Sequence, residues 1–207
     1  MKKILFLFVV AVSVLGSPYQ EASAQSYDSY TVKPGDSLWD IAVKYQVGLD
    51  EIIAANPQFE NPDLIYPGDI VKVPLKDQQE ASLEQEILAL VNAERAKQNL
   101  SALTINWELS RVAKLKCEDM RDNNYFSHDS PTYGSPFDMI NQFGISYTTA
   151  GENIAAGQAT AEAVMESWMN SEGHRENILS SEYSELGVGY AEGGTQRTYW
   201  VQQFIGK

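Results

Sequence analysis

One cysteine in 207 residues, Cys117, is the tightest restriction on what this chain can become. No disulfide can form within it, so each folded unit must be held by its own apolar core. Leu109, Val112, Ala113, Cys117 and Met120 recur at helical spacing. That places the thiol on the buried side of a helix, as an inert group rather than a nucleophile. The length allows more than one core. A polar stretch at residues 75–82, directly after Pro74, reads as a linker between a small unit at 29–74 and a larger one at 83–207.

The first residues read as an export signal. Lys2 and Lys3 precede an apolar run at 4–15, and Ala22-Ser23-Ala24 supplies the small residues of a cleavage site, so residues 1–24 are expected to be a signal peptide and the mature chain to begin at Gln25. The apolar run is short for a membrane span, and no membrane span is expected after cleavage. A net charge of −13 repels nucleic acid and anionic lipid, and neither is expected as a partner. Attachment to an anionic wall would have to rest on specific contacts.

In the small unit, Tyr30-Thr31-Val32-Lys33 is a short strand closed by Pro34-Gly35. Asp36 or Ser37 then caps a helix with Leu38, Ile41, Ala42 and Tyr45 on one face. A second helix at 49–55 stops at Asn56-Pro57, and Tyr66-Pro67-Gly68-Asp69 turns the chain into a strand at 70–73. The order is β-α-α-β. The run from Tyr30 to Ala42, Asn56-Pro57, and Leu64-Ile65-Tyr66-Pro67-Gly68 together resemble a LysM domain. The resemblance implies binding of N-acetylglucosamine polymers, chiefly peptidoglycan and chitin, in a shallow groove. Gly35, Asp36, Ser37 and Leu38 would line one side of it, and Pro62, Asp63, Leu64 and Ile65 the other. Loop N–H and C=O groups suit acetamido groups, and apolar side chains suit their methyls.

The larger unit opens with an amphipathic helix at 83–98, with Leu83, Ile87, Leu90 and Val91 inward and Asn99 at a left-handed terminus. Asn106 caps a helix at 107–123; further helices are expected at 136–143, ended by Gly144, and at 159–170. Residues 185–191 and 197–205 read as strands joined by Gly193-Gly194-Thr195, with 146–156 as a third strand. The fold class is therefore α+β, with a small antiparallel sheet covered by helices on both faces.

Only two histidines occur, His128 and His174, on either side of Gly151-Glu152-Asn153. Imidazole is the side chain best suited to moving protons or ligating metal near neutral pH. With Val91-Asn92-Ala93-Glu94-Arg95, Phe126-Ser127-His128, Gly151-Glu152-Asn153-Ile154-Ala155, Trp168 and Gly173-His174-Arg175-Glu176-Asn177-Ile178-Leu179, the order of motifs resembles the bacterial branch of the CAP (SCP-like) superfamily. The resemblance implies a three-layer α-β-α sandwich and a cleft in which His128, Glu152 and His174 converge. Where eukaryotic relatives carry a second acid, this chain has Ser171, with Glu172 displaced by one.

Two imidazoles and a carboxylate suit Zn²⁺ or another divalent metal with a position left for water. Without metal, Glu152 would orient a histidine that activates Ser127, Ser171 or water. Neither a Gly-x-Ser-x-Gly elbow nor a His-Glu-x-x-His pair supports catalysis independently. Three functions stay open: a secreted binding protein held on peptidoglycan in wall or spore layers, a wall-tethered hydrolase, and a structural component assembled with other wall or coat proteins.

Overall fold

The computed structural model describes residues 25–207, so the expected signal peptide at 1–24 lies outside the described residues. In the small unit, β1 (Tyr27–Thr31) and β2 (Ile70–Pro74) pair antiparallel, Tyr27 opposite Pro74 and Thr31 opposite Ile70. Between them run α1 (Leu38–Tyr45) and α2 (Leu49–Ala55). Helix α1 starts where Ser37 Oγ accepts from the Asp40 N–H at 3.1 Å and the Asp40 carboxylate accepts from the Ser37 N–H at 3.0 Å, a reciprocal capping box. A two-stranded ribbon is marginal alone. Here Tyr30, Val32, Leu38, Ile41, Ala42, Val47, Ile52, Val71 and Val73 make its core. Asn56 is buried and acts as a side-chain rung, donating to the Ile52 and Lys72 carbonyls and accepting from the Lys72 N–H.

Helix α3 (Gln78–Lys97) starts five residues earlier than the apolar pattern suggests, inside the expected linker. Asp77 caps it, its carboxylate accepting from the N–H groups of Gln79 and Glu80.

The larger unit is a sheet in the order β3-β5-β6-β4, made of β3 (Thr104–Ile105), β4 (Thr149–Ala156), β5 (Glu185–Gly193) and β6 (Arg197–Gly206). The three long strands are antiparallel, and the two-residue β3 adds a parallel edge to β5. Helix α4 (Trp107–Asp122) and α5 (Pro136–Gln142) cover one face, while α3, α6 (Ala161–Asn170) and α7 (Glu172–Ile178) cover the other. The central strand β6 is therefore buried on both faces: Tyr199, Val201 and Ile205 face α4 and α5, whereas Trp200 and Phe204 face α3 and α6. Helix α4 can lie against β5 because Gly187 and Gly189 have no side chain. A Cβ on Gly189 would stand 2.2 Å from the Ala113 carbonyl. Among the described residues no helix is long and apolar enough to cross a membrane.

The two units touch through ion pairs. Arg111 of α4 reaches Asp50 Oδ1 at 2.7 Å and Glu51 Oε1 at 3.1 Å, and its guanidinium lies where a Gly48 side chain would be. Beside it a cleft of about 500 Å³ runs between the units, with Trp107 and Tyr190 in its walls.

Candidate functional site: a histidine–glutamate pair and a loop groove

Glu152 lies on β4, one of the two edge strands of the sheet, and pairs across the ladder with Gln203. Its side chain is nearly sealed from solvent at 2% exposure, while that of His128 is half exposed. His128 Nδ1 meets Glu152 Oε1 at 2.8 Å, and Gln203 Nε2 donates to Glu152 Oε2 at 3.0 Å. An ionised carboxylate only accepts, so Nδ1 carries the proton and, in the neutral ring, Nε2 keeps its lone pair. That is the arrangement of an oriented base.

His128 belongs to the loop between α4 and α5, and two buried charges on α4 hold that loop. Asp119 accepts hydrogen bonds from Ser130 Oγ and Thr132 Oγ1 at 2.6 Å each, from Asn123 Nδ2 at 2.7 Å, and from the Tyr125 hydroxyl. Burial pushes the Asp119 carboxyl up, but these donors outweigh it and hold it below the ordinary range. Lys116 is also buried; its ammonium donates to the His128 carbonyl at 2.6 Å and to the Tyr125 hydroxyl at 3.2 Å. Burial holds Lys116 below the ordinary lysine value, against the opposing fields of Glu152, Asp119 and Asp129. Neither residue stands out in the sequence by motif, although a signal exists. Lys116 continues the stripe of Leu109, Val112, Ala113, Cys117 and Met120, where a charge has no solvent to face.

His174 sits on α7, across the edge of β4, and is half buried. Burial lowers its pKa, and the charge of His128 lowers it further. Asn153 and Asn177 fasten α7 to β4. Asn153 Nδ2 donates to the His174 carbonyl at 3.1 Å, and Asn177 Nδ2 donates to Asn153 Oδ1 at 2.9 Å and to the Glu152 carbonyl at 3.3 Å. Arg95, buried in α3, fixes the far end of α7 by donating to the carbonyls of Ile178 and Ser180. Ser171 is the joint between α6 and α7: its N–H donates to the Trp168 carbonyl and its carbonyl accepts from the Arg175 N–H. Ser127 Oγ accepts from the Asp129 N–H. Cys117 is fully buried, which raises its thiol well above the ordinary value and suits an inert group.

Among the described residues no three His, Cys, Asp or Glu side chains group as a cation would need. Glu152 meets His128 through Oε1 and Gln203 through Oε2. In this arrangement the carboxylate orients the His128 ring, as a carboxylate behind a metal-ligating histidine also does, and leaves Nε2 facing away from it.

In the small unit, Val32 ties the two loops expected to form the groove. Its N–H donates to the Asp69 carbonyl and its carbonyl accepts from the Gly68 N–H, each at 2.9 Å. Gly35 turns the first loop at φ +92°. Asp36 accepts from the Lys33 N–H and the Tyr30 hydroxyl, and Ser37 caps α1. Leu38 departs from the expectation: it is buried in the core, so only its backbone is available to a groove. On the second loop Asp63 and Leu64 are exposed, Pro62 is half-buried, and Ile65 packs partly on the core.

Comparison with known proteins agrees with both units. The pattern of the cysteine-rich secretory protein family (CAP) matches residues 88–204, and the LysM domain pattern matches 30–74. The uncharacterized protein YkwD of Bacillus subtilis (strain 168) is 58% identical over 127 residues, which are 61% of this chain and 48% of YkwD. The secreted LysM effector ECP6 of Passalora fulva is 49% identical over 47 residues, 23% of this chain and 21% of the effector. A crystal structure of an extracellular protein containing an SCP domain from Bacillus anthracis str. Ames superposes with a TM-score of 0.57 at 36% identity, covering 68% of this chain and 47% of that one. The matches thus span less than half the length of each of these proteins. With more than half of its residues on that pattern and an α-β-α sandwich to carry them, the chain belongs to the cysteine-rich secretory protein (CAP) family, with a LysM domain in front.

Proposed function

We propose that this is a secreted, cell-wall-associated protein whose LysM domain grips N-acetylglucosamine glycan of peptidoglycan and whose CAP domain offers the His128–Glu152 pair, with His174 beside it, to a ligand. The observation that supports the wall-binding half is the clasp through Val32, which joins the strand leading into the Gly35–Ser37 turn to the Gly68-Asp69 end of the loop that carries exposed Asp63 and Leu64. Such a surface of backbone polar groups and one apolar side chain suits an acetamido sugar. The net charge of −13 leaves specific contacts, rather than long-range attraction, to hold an anionic wall. Two relatives support a place outside the cell: one is an extracellular SCP-domain protein and the other a secreted LysM effector.

The test is co-sedimentation of residues 25–207 with purified, protein-free peptidoglycan. Retention should fall at least tenfold in Leu64→Asp, and more when the segment before residue 75 is removed. Equal retention of all three proteins would overturn the reading.

A wall-tethered hydrolase is a second reading, favoured by one observation: His128 is half exposed and turns Nδ1, not Nε2, to Glu152. In it His128 takes a proton from water while Glu152 steadies the resulting imidazolium. Release of soluble fragments from peptidoglycan by the wild type, abolished in His128→Ala, would support it; no release by either protein would end it.

A further inference from the structure

We infer that Lys116 is a positioning residue: its ammonium fixes the backbone of His128 and thereby sets which nitrogen of that imidazole faces Glu152. This rests on the reading of the His128–Glu152 pair as the working group of the CAP domain. Lys116 is 1% exposed, in a class of side chain that is almost never fully buried unless paired. Its hydrogen bonds, however, go to no carboxylate. They go to the His128 carbonyl at 2.6 Å and the Tyr125 hydroxyl at 3.2 Å, with the ammonium 5.1 Å from the Tyr125 ring centre.

Of the acids whose charge Lys116 feels, Glu152 is held by His128 and Gln203, and Asp119 is engaged elsewhere. One turn along the same helix, it is taken by Asn123, Tyr125, Ser130 and Thr132. The two charges therefore divide the loop between them. Asp119 gathers the residues on either side of His128, and Lys116 grips His128 itself.

The grip has a rigid base. Helix α4 lies so close to β5 that a Cβ on Gly189 would collide with the Ala113 carbonyl, one turn before Lys116. Strand β5 pairs with β6, and β6 pairs with β4, the strand that presents Glu152. The two members of the pair are thus referred to one sheet by short, stiff routes: Glu152 directly, and His128 through Lys116. A packing role alone would be filled by methionine, which lacks the donor.

The test uses residues 25–207 labelled with ¹⁵N and reads the imidazole nitrogens of both histidines by NMR near pH 8. In the wild type His128 should show the Nδ1–H tautomer alone. In Lys116→Met, which keeps the aliphatic stem, the two His128 nitrogen shifts should move toward each other as the tautomers mix, while the His174 signals stay in place. Unchanged His128 signals in a folded Lys116→Met protein would overturn the inference. If that variant does not fold, Tyr125→Phe decides. It removes one of the ammonium's two acceptors and keeps the ring, and it should give a partial shift of the same sign; no shift would overturn the inference. Because no wall material enters the measurement, failure of the proposed function leaves this result standing, and the reverse holds too.

Discussion

The groove of the LysM domain and the histidine pair of the CAP domain are built in opposite ways. In the first, the groups on offer are loop backbone and a few exposed side chains, and the loops are joined by backbone bonds through Val32. Gly35 there stands in open space, and a Cβ added to it would meet nothing within 4 Å. In the second, each working side chain is held by another side chain: His128 by Glu152, Glu152 by Gln203, the His128 loop by Asp119 and Lys116, and α7 by Asn153, Asn177 and Arg95. A backbone-built surface is insensitive to most side-chain changes. A side-chain-built one fails whenever a buried polar group loses its partner.

The largest contrast should come from two glycines. In Gly189→Val the new side chain meets the α4 backbone, which cannot swing aside as a side-chain tip can. Loss of stability on the order of 3 kcal/mol or more is expected, read as a lowered midpoint in thermal denaturation. Gly35→Ala has room and meets only the strain of its φ of +92°, roughly 1–2 kcal/mol. A Gly35→Ala midpoint as low as that of Gly189→Val would erase the distinction between the two regions.

Asp119→Ala comes next, since four donors lose one buried acceptor, at about 3 kcal/mol. Its pH dependence identifies the cause. Folding lowers the Asp119 carboxyl, so between the folded and unfolded values the unfolded chain binds more protons. The stabilisation is whole above the unfolded value of about 3.9 and is lost as pH falls through the folded one. The midpoint difference between wild type and Asp119→Ala should therefore narrow as pH drops below about 4. A gap that stays constant down to pH 2 would assign the effect to packing instead.

The same contrast decides what is legible in the sequence. The turns and helices of the LysM domain are legible, because Pro34-Gly35, the Ser37 cap and Tyr66-Pro67-Gly68-Asp69 act locally; its first strand is not placed as well, since β1 begins at Tyr27, three residues before the expected start, and ends at Thr31. In the CAP domain the helices with an apolar stripe are legible, and so is the left-handed Asn99, at φ 56°. The early start of α3 is not, because its first turn faces solvent and needs no apolar side. Helix α7 has no stripe to announce it: its one fully buried residue is Ile178, and the fastenings that hold it come from Asn153 and Arg95, distant in sequence. The pairing of Glu152 with His128 is reached only through family resemblance; no spacing rule connects residues 24 positions apart through a strand.

The smallest effect separates stability from geometry. Arg111 joins the two domains through Asp50 and Glu51, whose side chains are 73% and 46% exposed, so screening leaves the pair less than about 1 kcal/mol. Its removal should barely move the midpoint. The cleft beside it, however, means that the domains are not packed continuously, so their mutual orientation leans on such contacts. In Arg111→Ala the two domains should tumble more independently, with separate rotational correlation times in ¹⁵N relaxation. Gly48→Ala reaches the same end from the other side, because its methyl would occupy the place of the guanidinium and displace it. Matching relaxation in both variants would make the guanidinium at Gly48 the hinge pin between a backbone-built groove and a side-chain-built pair. Wild-type relaxation in both would mean that the short run from Pro74 to α3 sets the orientation by itself.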